Sequence, residues 1–123
     1  MKITLPRKEL KEALLGLARV VPRKATLPVL QCVRLSVDEA FIRMTGTDLD
    51  QTLTYRFTEA RAEGTGAVLL NLEDLQLLAK SPSREPVVFR VIAPTDVEVV
   101  SQVGEQPVTH HISAESVDEW PSA

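Results

Sequence analysis

KITLPRKELKEALLGLA, residues 2–18, changes its hydrophobic period at Pro6. Before the proline, Lys2 to Leu5 alternates polar and apolar, the two-residue period of a strand with one buried face. After it, Leu10, Leu14, Leu17 and Ala18 recur at helical spacing. This predicts an amphipathic helix from Arg7 to Val20, with Lys8, Lys11, Glu12 and Arg19 directed away from the core. Pro22 stops it. The same plan returns about 65 residues later in AVLLNLEDLQLLAK, residues 67–80. There a strand from Ala67 to Leu70 runs into a helix from Leu72 to Lys80, with Asn71 as N-cap and Glu73 and Asp74 in the first turn.

Three strands are expected after each helix. Val29 to Val37, Ala40 to Thr45 and Gln51 to Thr58 follow the first, with a tight turn at Asp38-Glu39 and another around Gly46 and Asp48. EARAEGTG, residues 59–66, reads as a polar connection. VVFRVIA, TDVEVVSQV and PVTHHIS follow the second helix, after a loop between Pro82 and Pro86. The order is therefore strand, helix, three strands, stated twice, in units of about residues 1–60 and 65–115. One short helix cannot cover a three-stranded sheet, so both helices are expected to pack together against the sheets. The result is a single α+β domain over residues 1–123 with pseudo-twofold symmetry.

With 123 residues, 44% of them hydrophobic, the chain can bury one core. No run approaches the roughly eighteen apolar residues of a membrane span, and MKITLPRKEL lacks the apolar stretch of a signal peptide, so a cytoplasmic location is expected and no membrane partner. Cys32 is the single cysteine. It excludes an internal disulfide, and its place in VLQCVRL predicts a small buried side chain. His110 and His111 are adjacent in a strand, so they face opposite ways and cannot chelate one ion together. Charge is unevenly distributed: residues 1–34 hold eight Lys and Arg against two Glu, a net +6, leaving −9 for the rest of a chain whose total is −3. Such asymmetry marks either a face for a polyanion or two solvated faces that happen to segregate.

RMTGTDLDQTL, residues 43–53, carries two carboxylates, Asp48 and Asp50, that could meet one Mg²⁺. A hard cation needs several oxygen ligands, and no phosphate-cradling glycine loop, candidate base or further acidic ligand stands near them. The segment is read as a structural signature, with no metal, cofactor or catalytic residue expected. Together with KATLPVLQCVRLSV, it resembles the first domain of the bacterial sliding clamp, the β subunit of the replicative DNA polymerase. Lys24, Thr26, Leu27, Pro28 and Leu30 match the first part of that pattern. Thr45, Gly46, Thr47, Asp48 and Leu49 match the second, with Asp50 where the family usually has Glu. The opening MKIT and the closing DEWPS extend the likeness along the chain.

The resemblance implies two βαβββ units, with sheets outside a six-domain ring and helices lining a hole for duplex DNA. In that family three domains lie on each chain and two chains join head to tail. It also implies a non-enzymatic processivity role, helping to tether replication or repair enzymes to DNA. Contacts would be made to phosphates without reading bases, because sequence-specific contacts would stop the ring from sliding. Lys8, Lys11, Arg19, Arg23 and Lys24 are the residues so implied, Lys24 by its place two before Thr-Leu-Pro. The second helix departs from the family, with Glu73, Asp74 and Gln76 exposed and Lys80 its one base. Val108, His110 and Ile112 would lie at the seam with another clamp-type domain, since an unpaired edge strand is otherwise a liability. The family's client pocket lies toward its third domain, so binding of a DNA polymerase or clamp loader is assigned to no residue here. Two other readings stay open: an adaptor that binds a full clamp or its loader without encircling DNA, and a small enzyme built on Asp48, Asp50 and a histidine. Trp120 is read as a terminal anchor.

Overall fold

The computed structural model describes residues 1–24, 27–81, 83–103 and 106–121. The elements in chain order are β1 (Lys2–Leu5), α1 (Arg7–Leu17), β2 (Cys32–Val37), β3 (Ile42–Thr47), β4 (Thr52–Phe57), β5 (Arg61–Glu63), β6 (Gly66–Asn71), α2 (Leu72–Ala79), β7 (Val87–Ala93), β8 (Asp96–Val103) and β9 (Gln106–Ser113). They form two antiparallel sheets, ordered β5-β1-β7-β8-β9 and β4-β3-β2-β6. The two units are interleaved. Strand β1 of the first unit sits beside β7 in the second unit's sheet, and β6 of the second sits beside β2 in the first's. Helix α1 spans about 16 Å at 1.5 Å per residue. It carries the chain from one sheet to the other.

Alternation along the strands fixes the inward faces. Ile3, Leu5, Val87, Phe89, Val97 and Val99 of the five-stranded sheet meet Val33, Leu35, Met44, Val68 and Leu70 of the four-stranded sheet, through Leu10, Leu14, Leu17, Leu75 and Ala79 of the helices. The two helices thus share one core with both sheets, the α+β arrangement expected. A smaller cluster occupies the outer face of β2 and β6, where Val29, Leu30, Cys32 and Leu69 receive Trp120. Burial, then the charges of Glu115 and Asp74, push the Cys32 thiol up to about 11. The tail is also tied down by Glu115 N–H, which donates to the Leu69 carbonyl at 3.2 Å.

Four sequence expectations shift. Helix α1 ends at Leu17 rather than Val20, because the next bonds tighten to the i→i−3 pattern, Arg19 N–H to the Gly16 carbonyl at 3.2 Å and Val20 N–H to the Leu17 carbonyl at 3.0 Å, which brings the buried Val21 inward. Pro28–Gln31 is a turn of 3-10 helix with proline at its first position, so the strand expected from Val29 begins at Cys32. EARAEGTG contains a strand, β5, whose Ala62 packs against the core while Arg61 and Glu63 are exposed. Gly46 lies inside β3, not in a turn. A Cβ there would stand 2.7 Å from Val21 Cγ2 and 3.2 Å from Leu17 Cδ2, so the glycine admits the end of α1 onto the sheet. Ala25, Thr26, Pro82, Gly104, Glu105, Ser122 and Ala123 lie outside the described residues, so the Thr26 match and the end of DEWPS have no structural counterpart here.

The turns themselves fall at Asp38 and Asp48, and the two are built alike. The Asp38 carboxylate accepts from Ala40 N–H at 2.8 Å and Phe41 N–H at 2.7 Å. That of Asp48 accepts from Asp50 N–H at 2.9 Å and Gln51 N–H at 2.7 Å. Each aspartate closes the backbone of its own hairpin. The backbone at Leu49 takes φ +81° within the second turn, steadied by its N–H donating to Thr47 Oγ1 at 3.1 Å. Asp48 is therefore committed to folding, which accounts for most of the TGTDLDQ pattern.

Candidate nucleic-acid interface

The placement of α1 is set by two charged residues to which the sequence analysis assigned no role. Arg7 is buried; its Nη1 donates to the Leu78 carbonyl at 2.7 Å and its Nε to the Glu85 carbonyl at 3.1 Å. Leu78 lies in the last turn of α2, where unpaired carbonyls form the negative end of the helix dipole, so Arg7 joins the start of one helix to the end of the other. Burial pulls its guanidinium below the ordinary value, and among the described residues Nη2 has no hydrogen-bond partner.

Glu9 does the same toward β4. Its carboxylate accepts from Thr58 N–H at 3.0 Å, Glu59 N–H at 2.8 Å, Thr58 Oγ1 at 3.2 Å and Tyr55 O–H at 3.4 Å. Burial pushes its carboxyl up, but these hydrogen bonds together outweigh it and hold the group below its ordinary value. Burial and the nearby Glu9 and Glu12 carboxylates push Tyr55 up to about 12. A signal for both residues existed in the helical spacing: Arg7 shares a stripe with Leu10 and Leu14, and Glu9 precedes the buried Ala13 by four.

With α1 so held, Lys8 and Lys11 are exposed on it, three apart on one stripe. Arg19 is exposed but lies in the turn after the helix, its N–H donating to the Gly16 carbonyl at 3.2 Å, a correction to its expected helical position. Arg23 and Lys24 are exposed in the next loop, and the Arg23 carbonyl accepts from Gln31 Nε2 at 2.8 Å. A groove between the helices is lined by Lys11, Leu15, Ala18, Gln76 and Lys80. A second hollow, between the turn after α1 and the length of α2, is lined by Arg23, Glu73 and Lys80 among others. The fold thus gathers Lys11, Arg23 and Lys80 around the helix pair, with Lys8 along α1. Leu15 is 74% exposed and Leu77 66%, so the helical side is apolar as well as basic.

Of the seam residues, Val108 is half-buried and His110 exposed, but Ile112 is packed in the domain's own core. Strand β9 ends its sheet among the described residues, so Ile112 can offer a neighbour its backbone and not its side chain. His111 faces the other way, 3.3 Å from Asp96 and 3.9 Å from Glu98. Among the described residues no three His, Cys, Asp or Glu are grouped as metal ligands would be. No helix among them is long and apolar enough to cross a membrane.

Two interleaved βαβββ units with their helices paired define a clamp-type domain. The chain matches the family model of the DNA polymerase III beta subunit, N-terminal domain, over residues 1–122, and belongs to that family. The sliding clamp from Pseudomonas aeruginosa, solved bound to griselimycin, is 30% identical, with a TM-score of 0.82 over 100% of this chain and 32% of its own. That from Bartonella birtlesii is 26% identical at TM-score 0.86, again over 100% of this chain and 32% of its own. A beta-subunit structure from Eubacterium rectale has a TM-score of 0.87 at 16% identity, which speaks to the fold alone. The chain therefore spans about a third of the length of these clamps. No curated protein sequence matches it.

Proposed function

We propose that this domain is a non-enzymatic part of a DNA sliding clamp, helping to tether replication or repair enzymes to duplex DNA through assembly with other clamp-type domains. The observation that supports this reading is the grouping of Lys11, Arg23 and Lys80 along the hollows of the helix pair, with Lys8 exposed on α1 and Arg19 and Lys24 exposed beyond its end. Long flexible cations on such a face attract phosphates without reading sequence, as sliding requires. The open edge of β9, with Val108 and His110, is the surface through which a second clamp-type domain would extend the sheet. Replacing Arg23→Glu and Lys24→Glu together should weaken duplex binding at low salt and lower the salt slope by about two, one for each lost phosphate contact. Unchanged binding by a folded double variant would sink the assignment.

Exposed Leu15 and Leu77, beside Glu73 on α2, support a second reading: an adaptor that docks on a full clamp or its loader without encircling DNA. Binding to an intact clamp, with no salt-sensitive duplex binding, would favour it.

A further inference from the structure

The outer faces of the two sheets carry charge in different ways. Across the five-stranded sheet one row runs Glu63, Lys2, Arg90, Glu98, His111; Lys2 and Arg90 stand opposite each other, but each has a carboxylate on its other side, Arg90 meets Glu98 at 3.4 Å, and His111 meets Asp96 at 3.3 Å. The corresponding row of the four-stranded sheet runs Ser36, Arg43, Arg56. Here two cations stand directly opposite each other on β3 and β4, an arrangement that destabilises a strand pair. Arg34 follows two residues away on β2. All three alternate with core residues, Val33 and Leu35, Ile42 and Met44, Tyr55 and Phe57, so all three point outward. Arg43 is held by Asp38 at 2.6 Å. Among the described residues Arg34 and Arg56 have no ion-pair partner. Arg56 instead lies over the exposed ring of Phe41, 4.6 Å from its centroid.

We propose that this outer face binds a short acidic peptide segment of a partner protein, of the pattern acidic-x-acidic-x-apolar. The spacing sets the pattern. Phe41, Arg43 and Thr45 follow one another at every second position on one side of the chain, about 7 Å apart. An extended peptide lying along β3 repeats its own side chains at that interval. One carboxylate then reaches Arg34 beside the Thr45 and Thr54 hydroxyls, the next reaches Arg43 and Arg56, and an apolar side chain covers Phe41. Guanidinium groups suit this partner because each can bind a carboxylate with two parallel hydrogen bonds.

Duplex DNA fits the face less well. Asp38 and Glu39 close one end of the arginine patch and Asp48 and Asp50 the other, with β3 between them only about 20 Å long. A short acidic segment ends inside these carboxylates, whereas a duplex, with a charge every 1.7 Å or so of axis, runs over them. The face also lies across the sheet from α1 and α2, so its occupant leaves the helical side free.

The test uses the isotope-labelled 123-residue chain. The probes are a capped Glu-Ala-Glu-Ala-Phe peptide, its Lys-Ala-Lys-Ala-Phe counterpart and a short DNA duplex, followed by amide chemical shifts and fluorescence anisotropy. The acidic peptide should shift the amides of Arg34, Arg43, Thr45, Thr54 and Arg56, and the lysine peptide should not. Arg34→Glu with Arg56→Glu should weaken acidic-peptide binding about tenfold or more, while the two lysine substitutions, which keep the charge but lose the paired hydrogen bonds, should weaken it less. If the double variant loses cooperative unfolding, Arg56→Glu alone, at an exposed position, should still weaken it about threefold or more. The proposal is overturned if shifts gather on the helices or β9, if the glutamate variants bind as well as the parent, or if the duplex and not the acidic peptide occupies this face.

Discussion

Helices α1 and α2 share a plan, a strand running without a loop into a leucine-rich turn, yet they are fastened in different ways. Helix α2 is closed locally: the Asn71 side chain accepts from Glu73 N–H at 2.9 Å and Asp74 N–H at 3.3 Å. Helix α1 comes after Pro6, has no side-chain cap, and is held from a distance, by Arg7 on the end of α2 and Glu9 on the backbone beyond β4. It is also longer, 11 residues against 8, and its final residue Leu17, with Val21 just beyond, comes down on Gly46. A duplicated unit can therefore keep its outline while one copy relies on neighbours in sequence and the other on neighbours in space.

That contrast can be broken most sharply at Gly46. Gly46→Val should destabilise the domain by about 3 kcal/mol, because its side chain would overlap Val21 and Leu17 and push α1 off the sheet. Chemical denaturation measures the loss, and amide exchange should show it centred on α1 and β3; protection lost first from α2 would refute the asymmetry. Glu9→Ala comes next, at about 2 kcal/mol, since it strips a carboxylate from the Thr58 and Glu59 amides. Glu9→Gln adds a pH test. The folded carboxyl lies below its ordinary value, so its stabilisation is complete above the unfolded value and vanishes as pH falls through the folded one. The parent should exceed Glu9→Gln in thermal midpoint at pH 7, and the gap should close below about pH 4. Smallest is Asn71→Ala, about 1 kcal/mol, with faster exchange confined to the first turn of α2. A loss spread over both helices would make α2 as dependent on distant contacts as α1.

These same residues mark how far the sequence could be read. Features governed by neighbours in the chain were legible: the period change at Pro6, the Asn71 cap and the repeat of strand, helix and three strands. Those governed by distant partners were not. Gly46 reads as a turn residue until Val21 is seen pressing on it, and helical spacing hints that Glu9 and Arg7 turn inward but does not name the amides and carbonyls they serve, some fifty to eighty positions away. Strand β5 is three residues long and is ordered by β1, so EARAEGTG gave no period to detect. Ile112 was placed on an edge by analogy, while the core beneath it depends on Val97 of β8. The bases of the helical side were visible as charges, and what the fold added was their grouping around the α1–α2 groove.

The exchange of first strands between the two sheets bears on how the protein is made. Neither half of the chain contains a complete sheet, so on the ribosome the early half, from β1 through β4, waits with two unfinished edges until β6 and β7 emerge. A polypeptide cut between β5 and β6 would yield two fragments, the first holding β1 and β5 of the second's sheet and the second holding β6 of the first's, whose recovery of structure would be second order in concentration. The single chain is two mutually dependent halves made permanent partners by one covalent link.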